Sequence, residues 1–95
     1  MLLEKRKYPR IPERFLVVQI RAVRDSRQEL ATMENVSSHG TRLATERPWQ
    51  PGSHVILESF TTRNPWATRA RVVYCQANGS KEFAVGLNFL TQTSD

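Results

Sequence analysis

Residues 15–23 read Phe-Leu-Val-Val-Gln-Ile-Arg-Ala-Val, rich in β-branched side chains, with Leu16, Val18, Ile20 and Ala22 recurring on one face. A period of two predicts a strand with one side turned to a core. The polar run Arg24-Asp25-Ser26-Arg27-Gln28 fits a hairpin loop, and residues 30–36 make a second strand with looser alternation. Residues 41–44 form a short third strand, and residues 46–52, with two prolines and a glycine, a turn. In the fourth strand, 53–60, Val55 and Leu57 oppose His54, Ile56 and Glu58. Residues 61–65 turn the chain into a longer fifth strand, 66–77. There Trp66, Thr68, Ala70, Val72 and Tyr74 share a face, while Arg69 and Arg71 lie on the other. Sharing a face with Val72 favours core packing for Trp66 and Tyr74 over the alternative, an apolar wall beside a ligand. Asn78-Gly79 is the strongest hairpin signal in the chain. The last strand, 82–90, alternates cleanly, with Phe83, Val85, Leu87 and Phe89 inward.

No segment carries a helical stripe. Six short strands at intervals of about ten residues predict an all-β fold, a six-stranded antiparallel barrel with little or no helix. Closure also removes exposed edges, which a small β domain must manage. A chain of 95 residues supports one core. The pattern places that core at 11–90, between a flexible basic segment at 1–10 and a polar tail at 91–95.

Charge narrows the partners. The chain has 14 Lys+Arg against 9 Asp+Glu, a net +5, and eleven of the cations are arginines. Lysine would serve for solubility alone, whereas an arginine excess favours an anionic partner, with nucleic acid, nucleotide and acidic protein all open. Cys75 is the only cysteine, so an intramolecular disulfide and a thiol cluster for zinc are excluded. It reads as a small buried or half-buried apolar residue. Met1-Leu2-Leu3 is too short for the apolar region of a signal peptide, and no apolar run reaches membrane-spanning length. The expected location is a reducing cytoplasm.

Catalytic constellations do not assemble. His39 and His54 lack metal-ligand spacing, and neither a nucleophile elbow nor a Walker-type loop occurs. Glu13, Asp25, Glu29, Glu46 and Glu82 are scattered over loops and polar faces. The chain reads as a binding module, not an enzyme, with no cofactor.

Two stretches carry recognition chemistry. Lys5-Arg6-Lys7-Tyr8-Pro9-Arg10 holds four cations in six residues, and Pro9 blocks a helical reading. In an extended segment, Arg6 and Arg10 can converge on one anion with forked donors. The alternative is a solvated basic leader. Asn35-Val36-Ser37-Ser38-His39-Gly40 is built of turn formers. A plain strand connection is its stronger reading from composition alone. The functional one is a small hydrogen-bonding ledge in which Gly40 adopts positive φ or allows a close approach.

Together the two stretches resemble the PilZ domain, a bacterial receptor for the second messenger cyclic di-GMP. Arg6-Lys7-Tyr8-Pro9-Arg10 fits that family's RxxxR motif, and Asn35 to Gly40 fits its [D/N]xSxxG motif. Pro51-Gly52 resembles the family's turn before a strand, Ala70-Arg71-Val72-Val73 its penultimate strand, and Gly86-Leu87-Asn88-Phe89 its closing strand. The resemblance spans roughly residues 5–90. It implies a PilZ-type barrel in which Arg6, Arg10, Asn35, Ser37 and Gly40 contact cyclic di-GMP, with Lys5 an extra cation favouring a stacked pair of dinucleotides. Asn35 stands where many relatives have Asp. An amide oxygen still accepts a hydrogen bond, so weaker binding is the expected consequence at most.

The resemblance further implies that ligand orders the N-terminal loop and so signals to a downstream effector protein. It implies no membrane contact, disfavours nucleic acid, and is compatible with a ligand-linked dimer. Two other classes fit a small basic barrel. One binds RNA or single-stranded DNA with steep salt dependence. The other is a ligand-independent interaction domain, whose mark would be a damaged motif; both motifs are intact here.

Overall fold

The computed structural model describes residues 16–59 and 65–90. Six strands follow the alternation: β1 (Leu16–Ala22), β2 (Gln28–Val36), β3 (Gly40–Thr45), β4 (His54–Ser59), β5 (Trp66–Ala77) and β6 (Phe83–Phe89). Every neighbouring pair is antiparallel, and the ring closes in the order β1-β2-β3-β6-β5-β4. This is the all-β barrel that the periodicity predicts. No helix among the described residues is long and apolar enough to cross a membrane.

Register places the core. Ile20 stands opposite Leu57 across β1 and β4, Leu43 opposite Val85 across β3 and β6, and Val72 opposite Leu87 across β5 and β6. All six are buried, with Val18, Val55 and Ala70 beside them. Each aliphatic side chain so removed from water contributes roughly 1.5–3 kcal/mol. Phe83 and Phe89 are half-buried at the rims of this cluster.

Trp49, which sequence patterning leaves in a turn, is only 2% exposed and belongs to the core. It plugs the end of the barrel where β2 begins and β3 ends. Its indole Nε1 donates to Glu29 Oε1 at 3.0 Å, and the Arg27 guanidinium lies 4.3 Å from the ring centroid. A buried indole needs an acceptor for its N–H, and Glu29 supplies it. The Trp49 amide donates to the Cys75 thiol sulfur at 3.5 Å. Cys75 is half-buried, as its apolar surroundings suggest.

Two β-bulges interrupt the alternation. On β2, Met33 pairs with Leu43 and Asn35 with Arg42, so Glu34 is the extra residue. On β5, Val72 pairs with Leu87 and Tyr74 with Gly86, so Val73 is the extra residue. Setting two residues against one shifts the phase of everything beyond. The expectation that Tyr74 packs in the core is therefore corrected: it is 37% exposed on the outer wall, and Cys75 turns inward instead. Trp66 is corrected too. It stands opposite Ser59 at the last step of the β4–β5 ladder and is likewise 37% exposed, on the barrel rim.

Candidate ligand-binding site

The turn between β2 and β3 is built around Ser37. Its backbone N–H donates to the Gly40 carbonyl at 2.9 Å. Its hydroxyl oxygen accepts from the backbone N–H of His39 at 3.1 Å and of Gly40 at 3.3 Å. A short side chain that gathers two following amides closes a tight turn locally. Ser37 thus shapes the ledge from within.

Gly40 has a different reason to be glycine. Its backbone is not among those at positive φ, which are Gly52 and Gly79. A Cβ on Gly40 would stand 2.1 Å from the Leu87 carbonyl oxygen, because β6 runs tightly past it. Of the two uses open to Gly40, close approach is the one realised, and the approaching group is the strand next door. The amide of Phe89 donates to the His39 carbonyl at 2.8 Å and locks the turn to β6.

Asn35 is exposed and stands directly opposite Arg42 on β3. Arg42 in turn stands opposite Gly86 on β6, and Gly86 opposite Tyr74 on β5. Cross-strand partners share a face, so these four positions form one row across the outer wall. The two bulges create the row. Were Glu34 paired with Arg42 in regular register, Asn35 would stand opposite inward Thr41, and were Val73 paired with Gly86, Tyr74 would stand opposite Val85. Asn35, Ser37, Gly40, Arg42, Tyr74 and Asn88 line a shallow cleft of 330 Å³ there. A larger groove of 560 Å³ opens at the rim, lined by Leu16, Met33, Val36, Trp66 and Phe89 and sharing Asn35. Among the described residues, no cation lines that groove, whereas Arg42 lines the smaller cleft.

The family model described as PilZ domain matches residues 4–95. This chain belongs to the PilZ family. No curated protein and no solved structure matches it. PilZ domains are generally cyclic di-GMP receptors.

Of the six residues singled out for ligand, the structure brings Asn35, Ser37 and Gly40 together on one wall of the PilZ barrel. Lys5, Arg6 and Arg10 lie outside the described residues. Sequence reasoning missed Arg42 as part of this wall. Its signal was available, since a strand position two beyond Gly40 returns to the same face. Tyr74 carried no such signal, because the bulge at Val73 cannot be read from alternation. Arg42 Nε meets Glu34 Oε1 at 3.2 Å, a partly exposed ion pair at the edge of the cleft. Among the described residues no cluster of His, Cys, Asp or Glu is arranged to hold a metal ion.

Proposed function

We propose that this chain is a cyclic di-GMP receptor that holds the dinucleotide between its N-terminal arginines and the outer wall of the barrel. The observation that carries this reading is the single cleft that collects Asn35, Ser37, Gly40, Arg42 and Tyr74. Arg6 and Arg10 clamp phosphate and the O6/N7 edge of guanine with paired N–H donors. Asn35 reads a guanine edge through its amide, and Tyr74 offers an apolar wall for a purine face. Lys5 adds charge where a second, stacked dinucleotide would lie.

Reach favours the arrangement. Arg10 is six positions before Leu16, where β1 starts. Leu16 and Asn35 line one groove, so the chain enters the barrel close to the motif turn. Six residues, if extended, would span on the order of 20 Å.

No bond is made or broken in this function. Ligand gathers residues 5–10 onto the barrel and changes the surface offered to an effector protein in the cytoplasm. Calorimetric titration with cyclic di-GMP, with GMP and a short RNA as controls, tests it. Saturable binding of the dinucleotide with little response to the controls is expected and yields the stoichiometry. Salt-sensitive RNA binding with silence toward the dinucleotide would replace this reading with a basic nucleic-acid-binding barrel.

A further inference from the structure

Among the described residues, two arginines on the barrel wall are paired with glutamates, and the two pairs differ in kind. Arg21 on β1 grips Glu58 on β4 with both Nε (3.2 Å) and Nη2 (3.4 Å), one nitrogen to each carboxylate oxygen. That fork is closed. Arg42 meets Glu34 through Nε alone. This contact engages one of the five N–H donors that a guanidinium carries and leaves the forked end outside it.

Position separates them further. Arg42 lies in the row between Asn35 and Gly86 and lines the cleft, whereas Arg21 does not. The Arg42 side chain is 45% exposed and that of Glu34 32%, so the pair is solvent-screened and weakly held. Glu34 is the extra residue of the β2 bulge, with no residue opposite it on β3. The same bulge that turns Asn35 outward thus sets a carboxylate against the neighbouring arginine.

From this geometry we infer that Arg42 is a further ligand-binding arginine, contributed by the barrel floor for a phosphodiester, and that Glu34 restrains it when no ligand is bound. The inference rests on the receptor reading above. A phosphodiester approaching the cleft meets the forked end of the guanidinium and displaces a single exposed carboxylate contact. Glu34 therefore orients Arg42 toward the cleft and also competes with the anion for it. Its negative charge opposes binding, and a neutral side chain there favours it.

The experiment is calorimetric titration of cyclic di-GMP into the wild-type chain and into Arg42→Ala, Arg42→Lys, Glu34→Gln, Arg10→Ala and Arg24→Ala, with a melting curve for each. Arg24 lies in the β1–β2 loop and does not line the cleft, so its variant matches the loss of one positive charge. Arg42→Ala is expected to weaken binding roughly tenfold or more, the scale of a lost charged hydrogen-bonding partner. Arg42→Lys should fall between it and wild type, because the charge remains but the fork does not. Glu34→Gln should tighten binding about two- to fivefold at low salt, an advantage that fades as salt rises. Arg24→Ala should match wild type.

A merely structural Arg42–Glu34 pair would lower the melting temperature in both variants and leave affinity alone. That result, with Arg10→Ala losing the ligand, overturns this inference while the receptor reading stands. Weaker binding by Glu34→Gln removes its restraining role. If wild type fails to bind the dinucleotide, the receptor reading and this inference fall together. Should Arg42→Ala not fold, Arg42→Lys decides: affinity equal to wild type at every salt concentration sinks the proposal.

Discussion

The ring of Tyr74 occupies the space that a side chain at Gly86 would need. A Cβ on Gly86 would stand 2.2 Å from Tyr74 Cε2 and 2.6 Å from Cδ2 and Cζ. Gly86 is the floor on which the tyrosine lies, and the Val73 bulge is what delivers the tyrosine to it. Gly86→Ala is expected to push the ring outward at a cost of about 1 kcal/mol, because Tyr74 is half exposed and has somewhere to go. A double-mutant cycle with Tyr74→Ala checks it by thermal melting: the cost should largely vanish when the ring is already gone.

Gly40→Ala should behave differently. The clash there is with the backbone carbonyl of Leu87, which cannot swing aside without opening the β3–β6 ladder. A loss of about 2–3 kcal/mol is expected, more than at Gly86. Denaturant midpoints of the two alanine variants give the comparison.

Ser37→Ala removes the acceptor shared by the amides of His39 and Gly40. The expected effect is mainly on stability, about 1 kcal/mol, with a smaller loss of ligand affinity than at the arginines. Equal melting temperature with strongly reduced affinity would instead assign the hydroxyl to the ligand.

Arg6→Ala and Arg10→Ala should each weaken cyclic di-GMP binding by about 1.5–3 kcal/mol, the range for a hydrogen bond to a charged group. Melting temperature without ligand should stay at the wild-type value. Calorimetry and melting curves on the same preparations separate the two effects, and wild-type affinity in either variant would count against the receptor reading.

Trp49 supplies the converse. It sits at the end of the barrel away from the motif turn, buried and tied to Glu29. Trp49→Ala should destabilise by about 3–5 kcal/mol. Trp49→Phe should cost less, through the orphaned Glu29 acceptor. Any Trp49→Phe chain that remains folded should bind the dinucleotide as wild type does.

Strand positions were legible because the inner faces follow a strict period of two: Val55 and Leu57 on β4, and Val85 and Leu87 on β6, are buried as alternation requires. Alternation counts residues, though, and cannot count a bulge. That is why Tyr74 was assigned inward and why the row from Asn35 to Tyr74 was invisible in the chain. Trp49 was missed for another reason. Two prolines and a glycine around it signal a turn, and nothing local says that the turn folds its indole back over the barrel end. Asn-Gly at 78–79 did mark a hairpin, but with a loop longer than two residues, closed by the Asn78 amide on the Glu82 carbonyl. In the motif turn the residue types were informative, while the partners of Ser37 and Gly40 proved to be the protein's own backbone.

Because β4 closes onto β1, the described sheet offers no free edge to a partner strand and no slack to a ligand. Sliding any one strand by a residue would turn its buried side chains to water and break the ladders on both sides of it. A molecule arriving at the Asn35–Tyr74 row therefore presses on a wall that cannot shear. The barrel serves as an anvil. On the receptor reading proposed above, binding would change only the relief of its outer surface, and an effector would read shape and charge laid on top of the sheet.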